Sequence, residues 1–196
     1  MEKNIENYVF VKQNFLDKEF CQYTIEALNH HNVWEKHFST KIEPLEEQKL
    51  VSTSPSGENE PDMMFFPSSD IEDFLAQKIL KTVTKYIDNL KFEWFKPGRQ
   101  ACTNLKFIKY SLNQTMKTHC DHIHSIFDGT RKGIPTLTII GILNDDYEGG
   151  EFIMFEDKKI NITEGDLIIF PSLFLFPHEV KPITKGIRYS YITWMW

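Results

Sequence analysis

After "KPGR" at 96–99 the texture of the chain changes, and short runs of β-forming residues follow one another, each closed by turn residues. Eight runs are legible, at about 104–111, 115–121, 136–144, 151–156, 158–162, 166–170, 177–182 and 187–196. Turns fall at "EGG" (148–150), "EDK" (156–158), "TEGD" (163–166) and "TKG" (184–186). A short strand cannot bury an apolar face alone, so many in succession need a second sheet to pack on. Upstream the period is helical. Asp17 is placed to cap a helix over "KEFCQYTIEALNHH", with Phe20, Ile25 and Leu28 as its apolar stripe. In "SSDIEDFLAQKILKTVTKYIDNL", Ile71, Phe74, Leu75, Ile79, Val83, Tyr86, Ile87 and Leu90 recur at helical spacing behind a Ser69 or Asp70 cap. The expectation is an α+β fold in which N-terminal helices buttress a β-sandwich or jelly roll. All 196 residues read as a single domain, mainly helical and supporting over 1–98 and strand-rich over 99–196. Between the helices "LVSTSPSGENEPD" (50–62) predicts a mobile loop near 41–68. Such a loop serves either as a passive connection or as a lid.

Composition narrows the function. With 41% hydrophobic and 14% aromatic residues the chain can bury a sizeable core. A net charge of −6 disfavours nucleic acid as a partner, because phosphate contacts need clustered Lys and Arg. The opening "MEKNIENYVF" lacks the apolar core of a signal peptide, and no apolar run approaches the roughly 18 residues that span a bilayer. Cys21, Cys102 and Cys120 are odd in number and far from any CxxC pattern, which fits reduced thiols and a cytoplasmic location. Only Arg99, Arg131 and Arg188 among the 22 basic residues are arginines. Codon bias accounts for the first two; the third falls in a more telling place.

Residues 118–124, "THCDHIH", hold three histidines and an aspartate. Strand alternation puts His119 and Asp121 on one face and Cys120 on the other, while His122 and His124 follow after the strand. A lone H-x-D pair is unspecific, and on spacing alone a polar strand end explains it better than a metal does. His178, in "FPHEVKP", begins the seventh run, whereas the pair ends the second. In an eight-stranded double Greek key those two strands are antiparallel neighbours, so the three residues can meet as two imidazoles and one carboxylate. That set leaves coordination positions open and suits non-haem Fe(II). Arg188 stands ten residues beyond His178 and shares a face with Ser190, Ile192 and Trp194. If the ligand face points inward, this guanidinium is buried and requires an anion.

"HCD" (119–121), "LNDDYEGGEFIMF" (143–155), "GDLIIFPS" (165–172) and "HEVKPITKGIRYSYITW" (178–194) together resemble the 2-oxoglutarate- and Fe(II)-dependent dioxygenases, prolyl 4-hydroxylase-like group. The resemblance covers roughly 100–196 and implies a double-stranded β-helix, the jelly-roll form, for the catalytic core. It implies that His119, Asp121 and His178 bind iron, and that Arg188 pairs with the 5-carboxylate of 2-oxoglutarate with help from Ser190. Tyr110 is implied to line the cosubstrate or substrate pocket and Trp194 to stand near the substrate. O2 completes the cofactor set, with ascorbate as a further small ligand of the pattern. The implied reaction decarboxylates 2-oxoglutarate to succinate and hydroxylates a C–H bond. Asp121 favours hydroxylation over halogenation, because related halogenases leave that position to chloride.

Two positions depart from the prolyl hydroxylase pattern: Met116 stands where a tyrosine often precedes the first histidine, and Ile142 where a third-strand tyrosine is found in some members. The expected substrate is a prolyl residue in a peptide or protein. The alternatives are a non-prolyl side chain, a free small molecule, or a jelly-roll binding module that has kept the fold and not the chemistry. Nucleic-acid demethylases of the same superfamily carry a second arginine six residues after the first, and here that position is Trp194.

Overall fold

The computed structural model describes residues 4–36, 59–65, 70–91, 102–121 and 134–195. A 3-10 turn (Ile5–Tyr8) leads into β1 (Phe10–Lys12), α1 (Lys18–His31), β2 (Glu35–Lys36), β3 (Asp62–Phe65) and α2 (Asp70–Leu90). The strand-rich region supplies β4 (Lys106–Tyr110), β5 (Met116–His119), β6 (Leu137–Ile142), β7 (Glu148–Gly149) and β8 (Phe152–Met154). It continues with β9 (Lys158–Lys159), β10 (Leu167–Pro171), β11 (His178–Val180), β12 (Ile183–Lys185) and β13 (Arg188–Met195). All eight expected runs contain a strand; β7 adds one at the "EGG" turn and β12 one between the last two runs.

A seven-stranded sheet runs β1-β10-β6-β13-β4-β3-β2, and a four-stranded sheet runs β5-β11-β8-β9. These are the two layers of the jelly roll. The pair β12-β7 forms a third, two-stranded sheet. Alternation along β13 divides the interior. Tyr189, Tyr191 and Met195 join the apolar cluster that includes Leu75, Ile79 and Val83 of α2 and Leu28 of α1. Ile192 joins the second cluster, which includes Ile108 and Ile140 of the large sheet and Met154 and Val180 of the small one, with Trp194 packed against it. The helices therefore cover one face of the large sheet, and the small sheet covers the other.

The N-terminal region expected to be mainly helical also contributes β1, β2 and β3 to the large sheet. β3 lies inside the span expected as a loop; 41–58 and 66–68 of that span lie outside the described residues. Its residues pair with β4 from Asp62↔Lys109 to Phe65↔Lys106. Without β3, β4 would present a row of unpaired N–H and C=O groups.

Asp17 caps α1 as expected, its Oδ1 accepting from Phe20 N at 2.7 Å. The buried line of α1 is Cys21, Thr24 and Leu28, with Phe20 and Ile25 only partly covered. Thr24 reaches the core because its hydroxyl donates to Phe20 O at 2.8 Å and so enters satisfied. Asp17→Ala is expected to lower stability by about 1 kcal/mol, read from the denaturant midpoint at unchanged slope. A change in slope would show instead that more than the cap had been lost.

Gly141 shows how closely the Tyr191 ring lies over the neighbouring strand: a Cβ there would sit 2.0 Å from that ring. On α2 the expected stripe is buried except Phe74, which is 45% exposed, and Leu90, which is only partly buried. Among the described residues no helix is long and apolar enough to cross a membrane.

Candidate metal centre and anion pocket

His119 closes β5 and His178 opens β11, and the two are direct partners across that antiparallel ladder. Asp121 follows two residues after His119, and one ligand atom from each of the three lies within 4.8 Å of the others. The expected juxtaposition of the second and seventh runs is therefore met. The Nε2 of His119 lies 3.5 Å from Asp121 Oδ1, and the Nε2 of His178 lies 3.8 Å from Asp121 Oδ2.

The tautomers follow from the backbone. The Nδ1 of His119 bonds Lys117 O at 2.8 Å, and that of His178 bonds Phe176 O at 3.1 Å. A carbonyl can only accept, so each Nδ1 carries the proton and each Nε2 offers its lone pair to the shared point. Asp121 is fixed from behind by the Thr138 hydroxyl, which donates to Oδ2 at 2.7 Å and lies 2.8 Å from Ser172 Oγ. Phe152 and Phe170 wall the His178 ring, with centroids 5.6 and 5.0 Å away.

Burial pushes the His178 imidazolium down, to about 4, so this ring is neutral in the free protein at ordinary pH. Burial also opposes charge on His119, yet the hydrogen bond and charge of Asp121 raise it overall. Burial works against the Asp121 carboxylate too; the His119 hydrogen bond and the charges of both histidines outweigh it and hold the group well below the usual range. Two neutral or easily neutralised imidazoles and an ionised carboxylate, two of the three deeply buried, fit a divalent ion. Metal binding at pH 6 is expected to release about one proton, from His119, rather than two. Calorimetry in buffers of different ionisation enthalpy reads that number directly, and a value near two would contradict a neutral His178.

Arg188 begins β13 opposite Tyr110 of β4. It is 1% exposed, its Nη1 donates to Ser190 Oγ at 2.9 Å, and its guanidinium lies 5.1 Å from the Tyr110 ring centroid. Among the described residues its Nε has no hydrogen-bond partner. Burial pushes the Tyr110 hydroxyl up to about 12, against the opposing pull of Arg188, so this phenol stays neutral. A guanidinium left short of acceptors and held with a serine and a tyrosine is built to receive an anion. One cavity is lined by His119, His178, Arg188, Ser190, Tyr110 and Met116, joining the metal ligands to the anion pocket.

Trp194 stands on the same face of β13 but outside the lining of that cavity, at the Lys106 side chain. Ile142 is buried opposite Ser190. His122, His124, Arg99 and Arg131 lie outside the described residues.

Sequence reading missed Thr138 and Gly150. Gly150 has φ +64°, and a Cβ there would come within 3.2 Å of Arg188 Cδ and 2.5 Å of Ile183 Cδ1. It opens the lane in which the Arg188 stem lies. Thr138→Val is expected to weaken metal binding about tenfold while leaving the fold in place, since the threonine only orients a ligand. A metal titration monitored by calorimetry checks this, and unchanged affinity would remove Thr138 from the site.

Residues 105–196 match the family model of the 2OG-Fe(II) oxygenase superfamily. A PKHD-type hydroxylase of Alteromonas mediterranea is 35% identical over 96 residues, which is 45% of this chain and 41% of that protein. One from Delftia acidovorans is 32% identical over 96 residues, again 45% of this chain and 41% of the relative. The matched stretch thus spans about two fifths of these curated relatives. Among solved structures, the viral collagen prolyl hydroxylase of Paramecium Bursaria Chlorella virus-1, in its 2OG complex, superposes with a TM-score of 0.67. The superposition covers 96% of this chain and 94% of that one at 17% identity. A Trichoplax adhaerens prolyl hydroxylase bound to a hypoxia inducible factor peptide gives 0.63, over 97% of this chain and 84% of that one at 18% identity. The sheets and their connections are those of a jelly-roll oxygenase. The strand-rich part of the chain, residues 105–196, matches that superfamily, and the fold of the chain is like that of these prolyl hydroxylase structures.

Proposed function

We propose that this chain is a 2-oxoglutarate- and Fe(II)-dependent dioxygenase that hydroxylates a prolyl residue in a peptide or protein. The observation that carries the reading is the cavity whose lining includes both His119 and His178, the histidines clustered with Asp121, together with the anion-seeking Arg188. His119, Asp121 and His178 hold the ion, and Arg188 with Ser190 receives the distal carboxylate of 2-oxoglutarate. Bound together with O2, that pair supplies the oxidant that inserts oxygen into an unactivated C–H bond. The protein's part is position and exclusion. Tyr110 packs beside Arg188 and contributes a wall, Phe152 and Ile192 keep the cavity apolar around the charges, and Phe170 backs the His178 ring. Trp194, on the same face of β13, is assigned to substrate contact.

Helices and jelly roll act as a single unit in this reading, because one apolar cluster is built from both. The three free thiols suit a reducing compartment, which favours the cytoplasm. The peptide form of the substrate draws support from the peptide-bound relative of like fold.

The test is succinate formation by the iron-loaded chain with a library of proline-containing peptides and the same peptides with alanine for proline. Stimulation confined to the proline set, with one oxygen atom gained on the ring, is the expected result. Stimulation by both sets alike would move the substrate to another side chain. Oxygen gained by a free small molecule and by no peptide would exclude a peptide substrate altogether.

A further inference from the structure

The inward face of β4 carries Lys106, Ile108 and Tyr110, which pair across the ladder with Ile192, Ser190 and Arg188. Two cations therefore end this face, separated by four strand residues, or about 13 Å. They differ in setting. Arg188 closes the deep end at 1% exposure. Lys106 is half-buried at the other end, outside the lining of the cavity, its ammonium 5.2 Å from the Trp194 ring centroid and 5.5 Å from that of Phe65. Trp194 in turn pairs with Thr138, the residue that holds the metal ligand Asp121.

Lysine is an unexpected occupant of an inward strand position. Two rings compensate it only in part, since a cation–π contact to an exposed ring is worth about 0.5–1 kcal/mol. No carboxylate or carbonyl among the described residues lies within bonding distance of its ammonium. Burial lowers its pKa overall, and the charge of Asp121 opposes that shift. In the loaded site a divalent ion, the Asp121 carboxylate, a dicarboxylate and Arg188 already cancel. Lys106 stays as a surplus positive charge on the substrate side of the centre.

We propose that Lys106 is a specificity-determining residue that anchors a substrate carboxylate at the mouth of the cavity, with Trp194 and Phe65 holding its stem. The inference rests on the oxygenase reading of the same site and adds to it that the substrate is anionic close to the carbon that reacts. The carboxylate has two chemical sources: the free α-carboxylate of a terminal residue, or an Asp or Glu side chain beside the reacting one. An ammonium on a long flexible stem suits either, since it acts as a point charge and imposes no planar geometry.

The experiment uses the full chain loaded with Mn(II) and 2-oxoglutarate, so that binding is read without turnover, by tryptophan fluorescence. The probes are acid and amide pairs: acetyl-proline against its primary amide, and amidated acetyl-Pro-Glu against amidated acetyl-Pro-Gln. Leucine and lysine versions accompany the proline ones. Wild type is expected to prefer one kind of acid over its amide at least tenfold; whichever pair shows it identifies the source of the carboxylate. Lys106→Met is expected to bring acid and amide within twofold of each other, and Lys106→Arg to keep most of the preference. The Kd of 2-oxoglutarate and the melting temperature of the variants should stay at the wild-type values. An acid preference in the leucine or lysine pairs alone would uphold Lys106 and sink the prolyl substrate. No acid preference in any pair, an equal preference in Lys106→Met, or a weakened 2-oxoglutarate Kd in that variant would each overturn the proposal.

Discussion

His178→Gln is expected to lose metal affinity by at least about 100-fold, the upper range of what merely disturbing the groups behind a ligand costs. Glutamine keeps much of the volume between Phe152 and Phe170, so the fold should survive the change. The size of the effect follows from how little the other two residues can do alone. Asp121 is ionised and deeply buried, and His119 carries the raised imidazole that Asp121 already engages. With His178 gone, the remaining pair favours an internal His119–Asp121 contact over a shared ion. The wild-type chain titrated with Fe(II) and 2-oxoglutarate without oxygen should develop a visible charge-transfer band. The variant should develop none at the same concentrations, while its circular dichroism is unchanged. A band of normal strength in the variant would mean that the three residues are a polar cluster and the ion sits elsewhere.

How far the sequence led is best seen residue by residue. The metal set was legible because two simple rules reach it: alternation within one strand puts His119 and Asp121 together, and antiparallel neighbours put the end of one strand beside the start of the other. Observed pairing of His119 with His178 follows both. Arg188 was legible for the same reason, since its face could be read from Ser190, Ile192 and Trp194. Thr138 was not, because its partner Asp121 is 17 residues away and nothing local marks a threonine as the buttress of a carboxylate. Gly150 read as a turn residue, and its positive φ agrees; its nearness to Arg188 comes from the loop returning against β13. Lys106 did leave a signal. In "KFIKY" it falls on the same face as Tyr110, already placed in the pocket, so an inward lysine could have been read off. The strand β3 was hidden by its surroundings, four residues at the end of a polar stretch, and exists because β4 needs an edge partner.

Arg188→Met is expected to separate binding from stability in opposite directions, which few substitutions at a true core position would do. In the free protein the guanidinium is buried, bonded to Ser190, and lacks a partner at Nε among the described residues. Arg188 has no carboxylate partner among the described residues for the change to strand, and whole buried ion pairs replaced by apolar side chains are neutral or stabilising by about 1–4 kcal/mol. The melting temperature of the metal-free chain should therefore hold or rise. The 2-oxoglutarate Kd should move the other way, because removing one half of a buried charge pair costs about 2–5 kcal/mol and strands the carboxylate in an apolar cavity. That corresponds to roughly 30-fold or more in 2-oxoglutarate concentration at half-saturation. The metal affinity measured without 2-oxoglutarate should stay within about threefold, since Arg188 is no ligand. Arg188→Lys should recover only part of the binding, because a point charge cannot reproduce the planar fork. If 2-oxoglutarate binding survived in Arg188→Met while stability fell, the arginine would be a structural ion holding β13 to β4. The anion pocket would then have to be sought at Lys106.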